Sequence, residues 1–197
     1  MDLDRLKKQL DFILEIDKEK EIYRQTHLTE YKRQENDAEH AWHMAIMIYL
    51  LKEYANEKFD VAKAMMMALI HDIVEIDAGD TYAYDNVNLA TQKEREEKAA
   101  ERIYGLLPDE QKDELKALFN EFEEGKTPEA KFARVMDNFQ PLILNDSNNG
   151  KDWKVHEIKK SQVKKRQISS KIGSEDIWNY TKELIDNNVK KGNLIDE

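Results

Sequence analysis

Residues 60–75 read Asp60-Val61-Ala62-Lys63-Ala64-Met65-Met66-Met67-Ala68-Leu69-Ile70-His71-Asp72-Ile73-Val74-Glu75. Asp60 is a helix-capping type, and Val61, Ala64, Met65, Ala68 and Leu69 recur at helical spacing, which predicts a helix with one face in a core. Met65 to Ile70 are almost wholly apolar, so the end of this helix is expected to be buried. A carboxylate placed there, Asp72, must be paired or metal-bound. Adjacent helical residues point ~100° apart, so His71 and Asp72 share one ion only if it lies between their directions. Gly79-Asp80 marks the break that follows.

Helical periodicity extends outward on both sides. Leu3, Leu6, Leu10, Ile13 and Leu14 make an apolar stripe on a first helix. Asn36 and Glu39 form the reciprocal pattern of a capping box, opening a helix through His40, Met44, Met47, Ile48 and Leu51 to about Tyr54. Further helices are predicted over 88–107, from Pro108 to Glu124 with Gly125 as stop, and from the Thr127 cap through Phe132, Val135, Met136 and Phe139 towards Leu144. Asn145 to Gly150 is a loop by composition. Lys159 to Lys171 is basic and helix-compatible, a solvated face with phosphate capture as the alternative. Ser174 caps a last amphipathic helix through Ile177, Trp178, Thr181 and Leu184. No strand pair and no internal repeat is expected.

The whole chain has 197 residues, 37% charged and 40% hydrophobic, with 6 Gly and 3 Pro. So few helix breakers favour an all-α, single-domain protein over residues 1–197. A formal charge of −10 argues against a sequence-independent grip on nucleic acid polymers. The chain has no cysteine, which removes disulfides, thiolate metal sites and a cysteine nucleophile. No apolar run approaches the ~20 residues a membrane span needs, and Met1 to Arg5 has no cationic start of a secretory signal. A cytoplasmic protein is the expectation.

The five histidines are His27, His40, His43, His71 and His156. A His-Asp pair alone fits an ordinary helix end. Here His40 lies in another apolar helix, and Asp137 interrupts the apolar run Val135-Met136-Asp137-Asn138-Phe139. His27 and His156 have no supporting partner, and Met65-Met66-Met67 reads as core filler.

The order His40, His71-Asp72, Asp137 resembles the HD-domain metal-dependent phosphohydrolases, which are HD-type helical bundles. Residues 33–40 (RQENDAEH), His71-Asp72-Ile73-Val74-Glu75 and Ala78-Gly79-Asp80-Thr81 are similar to the bacterial 5′-deoxynucleotidases and the HD-domain-containing protein 2 group. The resemblance covers about residues 20–145. It implies metal ligation by His40, His71, Asp72 and Asp137, catalytic roles for Glu75 and Asp72, and substrate contacts from Arg24 and Asp80. Arg33 is a second phosphate candidate, with a salt bridge to Glu35 or Glu39 as the alternative. The characterised deoxynucleotidase has tryptophan after the arginine matching Arg24, where this sequence has Gln25.

Two imidazoles and two carboxylates suit one divalent ion such as Mn, Co, Fe, Ni, Zn or Mg. Such an ion polarises a phosphoryl group and lowers the pKa of water towards ~7. Relatives with two metals carry additional histidines before the last Asp, and none lies between Asp72 and Asp137. Glu75 is one turn beyond His71 and Asp72 and could protonate a leaving oxygen or take a proton from water. His43 faces nearly the way of His40, with ligand, supporting and packing roles all open and a non-ligand role favoured. The expected activity is a 5′-nucleotidase on (deoxy)nucleoside 5′-monophosphates. Another phosphate ester, a nucleoside triphosphate or a non-catalytic nucleotide-binding module are the alternatives. A homodimer is implied by the family alone.

Overall fold

A computed structural model describes residues 2–197, apart from the side chains of Asn86, Val87 and Leu89. Met1, the start of the stretch read for a secretory signal, lies outside the described residues. The fold is all-α with one small two-stranded sheet.

Helix α1 (Leu3–Ile16) is capped by Asp2, whose carboxylate accepts from the Arg5 amide at 3.0 Å. Its apolar stripe faces outward: Leu3, Leu6, Leu10, Ile13 and Leu14 are all exposed. The docked side is the other one, where Phe12 is buried and stacks on Tyr104 and Gln9 bonds Gln111 at 2.7 Å. Strands β1 (Tyr23–His27) and β2 (Gln34–Asn36) then pair antiparallel, correcting the expectation of no strand pair. Both are short and polar, so they lack the alternation that marks a longer strand.

Helix α2 (Asp37–Leu51) opens with the expected capping box, and His40, Met44, Met47 and Ile48 are buried. Helix α3 (Val61–Ile70) starts at Asp60, whose carboxylate accepts from the Ala62 and Lys63 amides. Ala64, Met67, Ala68 and Ile70 are buried, whereas Leu69, expected in the core, is exposed. The α-helix ends at Ile70, and His71-Asp72 forms the turn that leads to α4 (Glu75–Ala78). Gly79, at φ 74°, stops α4 and sends the chain away.

Helices α5 (Asn86–Tyr104) and α6 (Asp109–Glu124) follow, and α7 (Pro128–Ser147) is capped by Thr127 as read. Helix α7 runs through part of the expected Asn145–Gly150 loop. The loop-favouring side chains bond back to the helix instead, Asn145 to the Pro141 carbonyl at 2.9 Å and Ser147 to the Leu144 carbonyl at 2.7 Å. Short helices α8 (Lys151–Val155), α9 (Lys160–Gln167) and α10 (Ser170–Gly173) lead to α11 (Glu175–Lys190), capped by Ser174. Helix α10 sits so close to α7 that a Cβ on Gly173 would lie 2.6 Å from the Lys131 carbonyl oxygen and 2.6 Å from a Val135 methyl.

One apolar cluster joins α2, α3, α7 and α11, and a second lies under α5 and α6 around Ile70, Ile73, Val74, Ile103 and Tyr104. The His71-Asp72 turn lies at the seam between them. Among the described residues no helix is long and apolar enough to cross a membrane.

Candidate metal centre

Two helices and one turn bring His40 (α2), His71-Asp72 (the turn after α3) and Asp137 (α7) together. His71 Nε2 is 3.1 Å from Asp72 Oδ1 and 3.9 Å from Asp137 Oδ1. His40 Nε2 is 3.4 Å from Asp137 Oδ1 and 3.9 Å from Asp72 Oδ2. Donors bound at about 2.1 Å to one ion stand ~3.0 Å apart at neighbouring octahedral corners and ~3.4 Å apart in a tetrahedron. The 3.1 and 3.4 Å spacings match these values and the two of 3.9 Å are longer; His40, His71 and Asp72 each offer one ligand atom within 4.8 Å of the others, with Asp137 beside them.

Hydrogen bonding fixes which ring nitrogens face the centre. His71 Nδ1 donates to the Ala68 carbonyl at 2.9 Å, which leaves Nε2 as the lone-pair atom. That Nε2 is buried and makes no hydrogen bond, although Asp72 is close. A buried acceptor aimed at two carboxylates without a proton partner is what a cation would satisfy, so the residues present fit a divalent metal. His40 Nδ1 donates to Gln140 Oε1 at 3.0 Å, freeing its Nε2 in the same way. The Gln140 amide nitrogen donates to Glu35 Oε1 at 2.6 Å and to His43 Nδ1 at 3.1 Å. His43 therefore touches Gln140 on the far side of His40.

The electrostatics are those of a crowded anionic site. Burial alone would lower the His71 pKa, but Asp72 and Asp137 outweigh it and push it up to about 9. Burial would raise Asp72 and Asp137, and neighbouring cations outweigh that: His71 and Arg24 hold Asp72 well below the usual range, His40 and Arg166 do so for Asp137. Protons and a metal thus compete for the same imidazoles.

Beside this cluster stands a second one of oxygens alone. One carboxylate oxygen each of Asp37, Glu75 and Asp80 lies within 4.8 Å of the others, a group that could hold a hard cation or shared protons. Burial, with repulsion from Asp72, pushes Asp37 up to about 6 and Glu75 well above the usual range. Asp37 Oδ2 and Glu75 Oε2 are buried without a hydrogen-bond partner. Arg24 ties the two clusters together, its Nη1 lying 2.7 Å from Asp72 Oδ2 and 3.1 Å from Asp37 Oδ1.

Two cavities meet here. The larger is lined by His71, Asp72, Glu75, Glu96 and Glu123, the smaller by Gln25, Thr26, Tyr82, Tyr84 and Trp153. Arg24, Asp80, Thr81, Asp137 and Arg166 line both.

Of the site residues expected from sequence, Arg33 is the one not brought in. It is half-exposed, lines neither cavity, and grips Glu39 with both guanidinium nitrogens at 2.7 and 2.5 Å. That bidentate pair is the alternative the sequence offered. Asp37, Glu35 and Arg166 were missed, being polar residues among polar neighbours with no periodic signal; Gln140, between Phe139 and Pro141-Leu142, was missed although a buried polar residue in an apolar run is the signal that could have found it. His27 pairs with the buried Asp152 through its amide at 3.0 Å and its Nδ1 at 2.7 Å, and the His156 ring packs on Tyr82.

Comparison with known proteins shows what the chain is similar to. Proteins named 5′-deoxynucleotidase HDDC2 are similar to part of the chain. The Danio rerio protein is 33% identical over 112 residues, 57% of this chain and 54% of that protein. The Homo sapiens protein is 30% identical over 112 residues, 57% and 53% of the two. The chain spans about half the length of the curated relatives it matches. The crystal structure of a "predicted metal-dependent phosphohydrolase" from Magnetospirillum magnetotacticum MS-1 superposes with a TM-score of 0.93 at 46% identity, covering 97% of this chain and 96% of that one. A conserved hypothetical protein from Pyrococcus furiosus shares the fold, with a TM-score of 0.58 at 24% identity over 92% of this chain and 99% of that one. The HD domain family model matches residues 16–178, beyond the span of the motifs read from sequence. The chain belongs to the HD domain family.

Proposed function

We propose that this chain is a metal-dependent phosphomonoesterase that releases phosphate from (deoxy)nucleoside 5′-monophosphates. The observation that carries the reading is the buried His71 Nε2, without a hydrogen bond, 3.1 Å from Asp72 and 3.9 Å from Asp137, in a group where His40, His71 and Asp72 each offer a ligand atom within 4.8 Å of the others. His40, His71, Asp72 and Asp137 would hold one divalent ion. When bound, that ion supplies charge stabilisation to the phosphoryl group and a water of lowered pKa.

The remaining steps belong to the chain itself. Arg24 orients the phosphate, its guanidinium pre-set by Asp72 and Asp37. Glu75, on the wall of the larger cavity, hands a proton to the leaving nucleoside oxygen. The nucleoside lies in the smaller cavity, where Tyr82, Tyr84 and Trp153 supply aromatic surface and Gln25 stands where the characterised relative has a ring. Asp80, common to both cavities, reaches the sugar. The family's pairing extends to this chain through the exposed apolar face Trp42, Ile46, Tyr49 and Leu50 of α2. A monomer mass in light scattering would remove that part.

The test is a panel of deoxy- and ribonucleoside 5′-monophosphates and triphosphates with Mn²⁺, Co²⁺, Mg²⁺ and Zn²⁺, with bound metal measured on the purified protein. Phosphate release from monophosphates that stops on chelation is expected. Full activity of metal-stripped protein, or pyrophosphate or triphosphate as the released product, would overturn the proposal.

A further inference from the structure

Lys164, Lys165 and Lys171 of the basic segment 159–171 are exposed, as its composition suggests, but Arg166 is only partly so. Arg166 lies where the two cavities meet, with Nη2 3.6 Å from Asp137 Oδ2, beyond hydrogen-bond distance. Its helix is fastened to α7 beside that ligand: the Gln167 amide donates to the Asn138 carbonyl at 2.5 Å, and Val163 is buried.

The larger cavity needs such a cation. Eight carboxylates against four Lys and Arg side chains line it, a field that repels a phosphate dianion. Arg24 is only 13% exposed and is neutralised by Asp72 and Asp37. Arg134 donates to the Phe122 carbonyl, and Lys93 projects to the outside, 91% exposed. Arg166 keeps 38% of its side chain exposed, and its fork of N–H donors is largely unclaimed. It lines both the larger cavity, with His71, Asp72 and Asp137, and the smaller aromatic one, with Tyr82, Tyr84 and Trp153.

We infer that Arg166 is a second substrate-binding arginine, which donates together with Arg24 to the phosphoryl oxygens of a bound nucleoside monophosphate. The inference rests on the phosphomonoesterase reading for its ligand, and its test does not depend on turnover. The rival role is purely local: Arg166 could serve only to hold Asp137 as an anion for the metal.

Metal-loaded wild type, Arg166→Ala, Arg166→Lys and the same-helix control Lys165→Ala are compared for bound metal, affinity for inorganic phosphate, and KM and kcat on 2′-deoxyadenosine 5′-monophosphate. Arg166→Ala is expected to keep its metal while phosphate affinity falls and KM rises by about tenfold or more, the worth of a charged hydrogen bond. Arg166→Lys should fall between, and Lys165→Ala should match wild type. Unchanged phosphate affinity in Arg166→Ala, or loss of metal in step with loss of activity, would overturn the inference. Phosphate binding that depends on Arg166 in a protein inactive on every nucleotide would retire the enzyme reading and leave the anion site standing.

Discussion

Replacing Gln140 by methionine tests whether His40 is aimed by its neighbours. Methionine keeps the length of the side chain and removes its polar atoms. The Glu35 carboxylate, itself buried, loses a 2.6 Å donor, and His40 Nδ1 loses its 3.0 Å acceptor. Hydrogen bonds to charged groups contribute about 1.5–3 kcal/mol each, so these two should cost about 3–6 kcal/mol of stability, with the 3.1 Å bond to His43 lost as well. The ring is then free to present either nitrogen to the metal, and removing such an outer partner typically weakens binding by about 10–100-fold. Calorimetric titration of chelator-stripped protein with Mn²⁺, beside urea unfolding, reads both quantities. Full loss of stability with metal affinity unchanged would refute the reasoning, because His40 would then be oriented by something other than Gln140.

Three further outcomes follow. Glu75→Gln should retain its metal and lose about 10²–10⁴ in turnover, read by metal analysis and phosphate release; normal turnover would remove Glu75 from proton transfer. Asp137→Ala should lose both metal and activity, and a metal content equal to wild type would exclude it as a ligand. Glu19, on the segment before β1, is pushed up to about 8 by burial, with Asp72 and Asp37 adding repulsion, from its usual 4.5. The native state thus keeps a proton that the unfolded chain releases, so this contribution is complete below 4.5 and is lost as pH rises through 8, on the order of 1.4 kcal/mol per unit at most. In chelator, Glu19→Gln should melt increasingly above wild type across that window; a pH-independent difference would contradict the assignment.

The reading of the sequence was strongest where physics leaves few options. An ionisable group inside an apolar run has to be paired, which drew attention to Asp72 and Asp137, and the family resemblance supplied their expected roles. Capping at Asn36, Asp60, Thr127 and Ser174 is local chemistry, so those helix starts stand where the sequence puts them. Partners across space were not legible. The stripe of α1 told of a helix but not which side docks, because Phe12 and a few polar pairs decide that. The partners of Gln140 and Arg166 are hidden until the fold sets them against His40 and Asp137. The hairpin escaped because tertiary pairing, not alternation, holds so short a pair of strands.

The seat of Gly173 gives an inconspicuous position unexpected reach. With no room for even a methyl group against Lys131 and Val135, any larger residue would lift α10 off its bed. The lever is short: Gln167 would slacken its hold on Asn138, and the guanidinium of Arg166 would swing out of the cleft. If Arg166 holds the phosphate as inferred above, variation at this position, which lines neither cavity, would be felt first as poorer capture of the incoming anion.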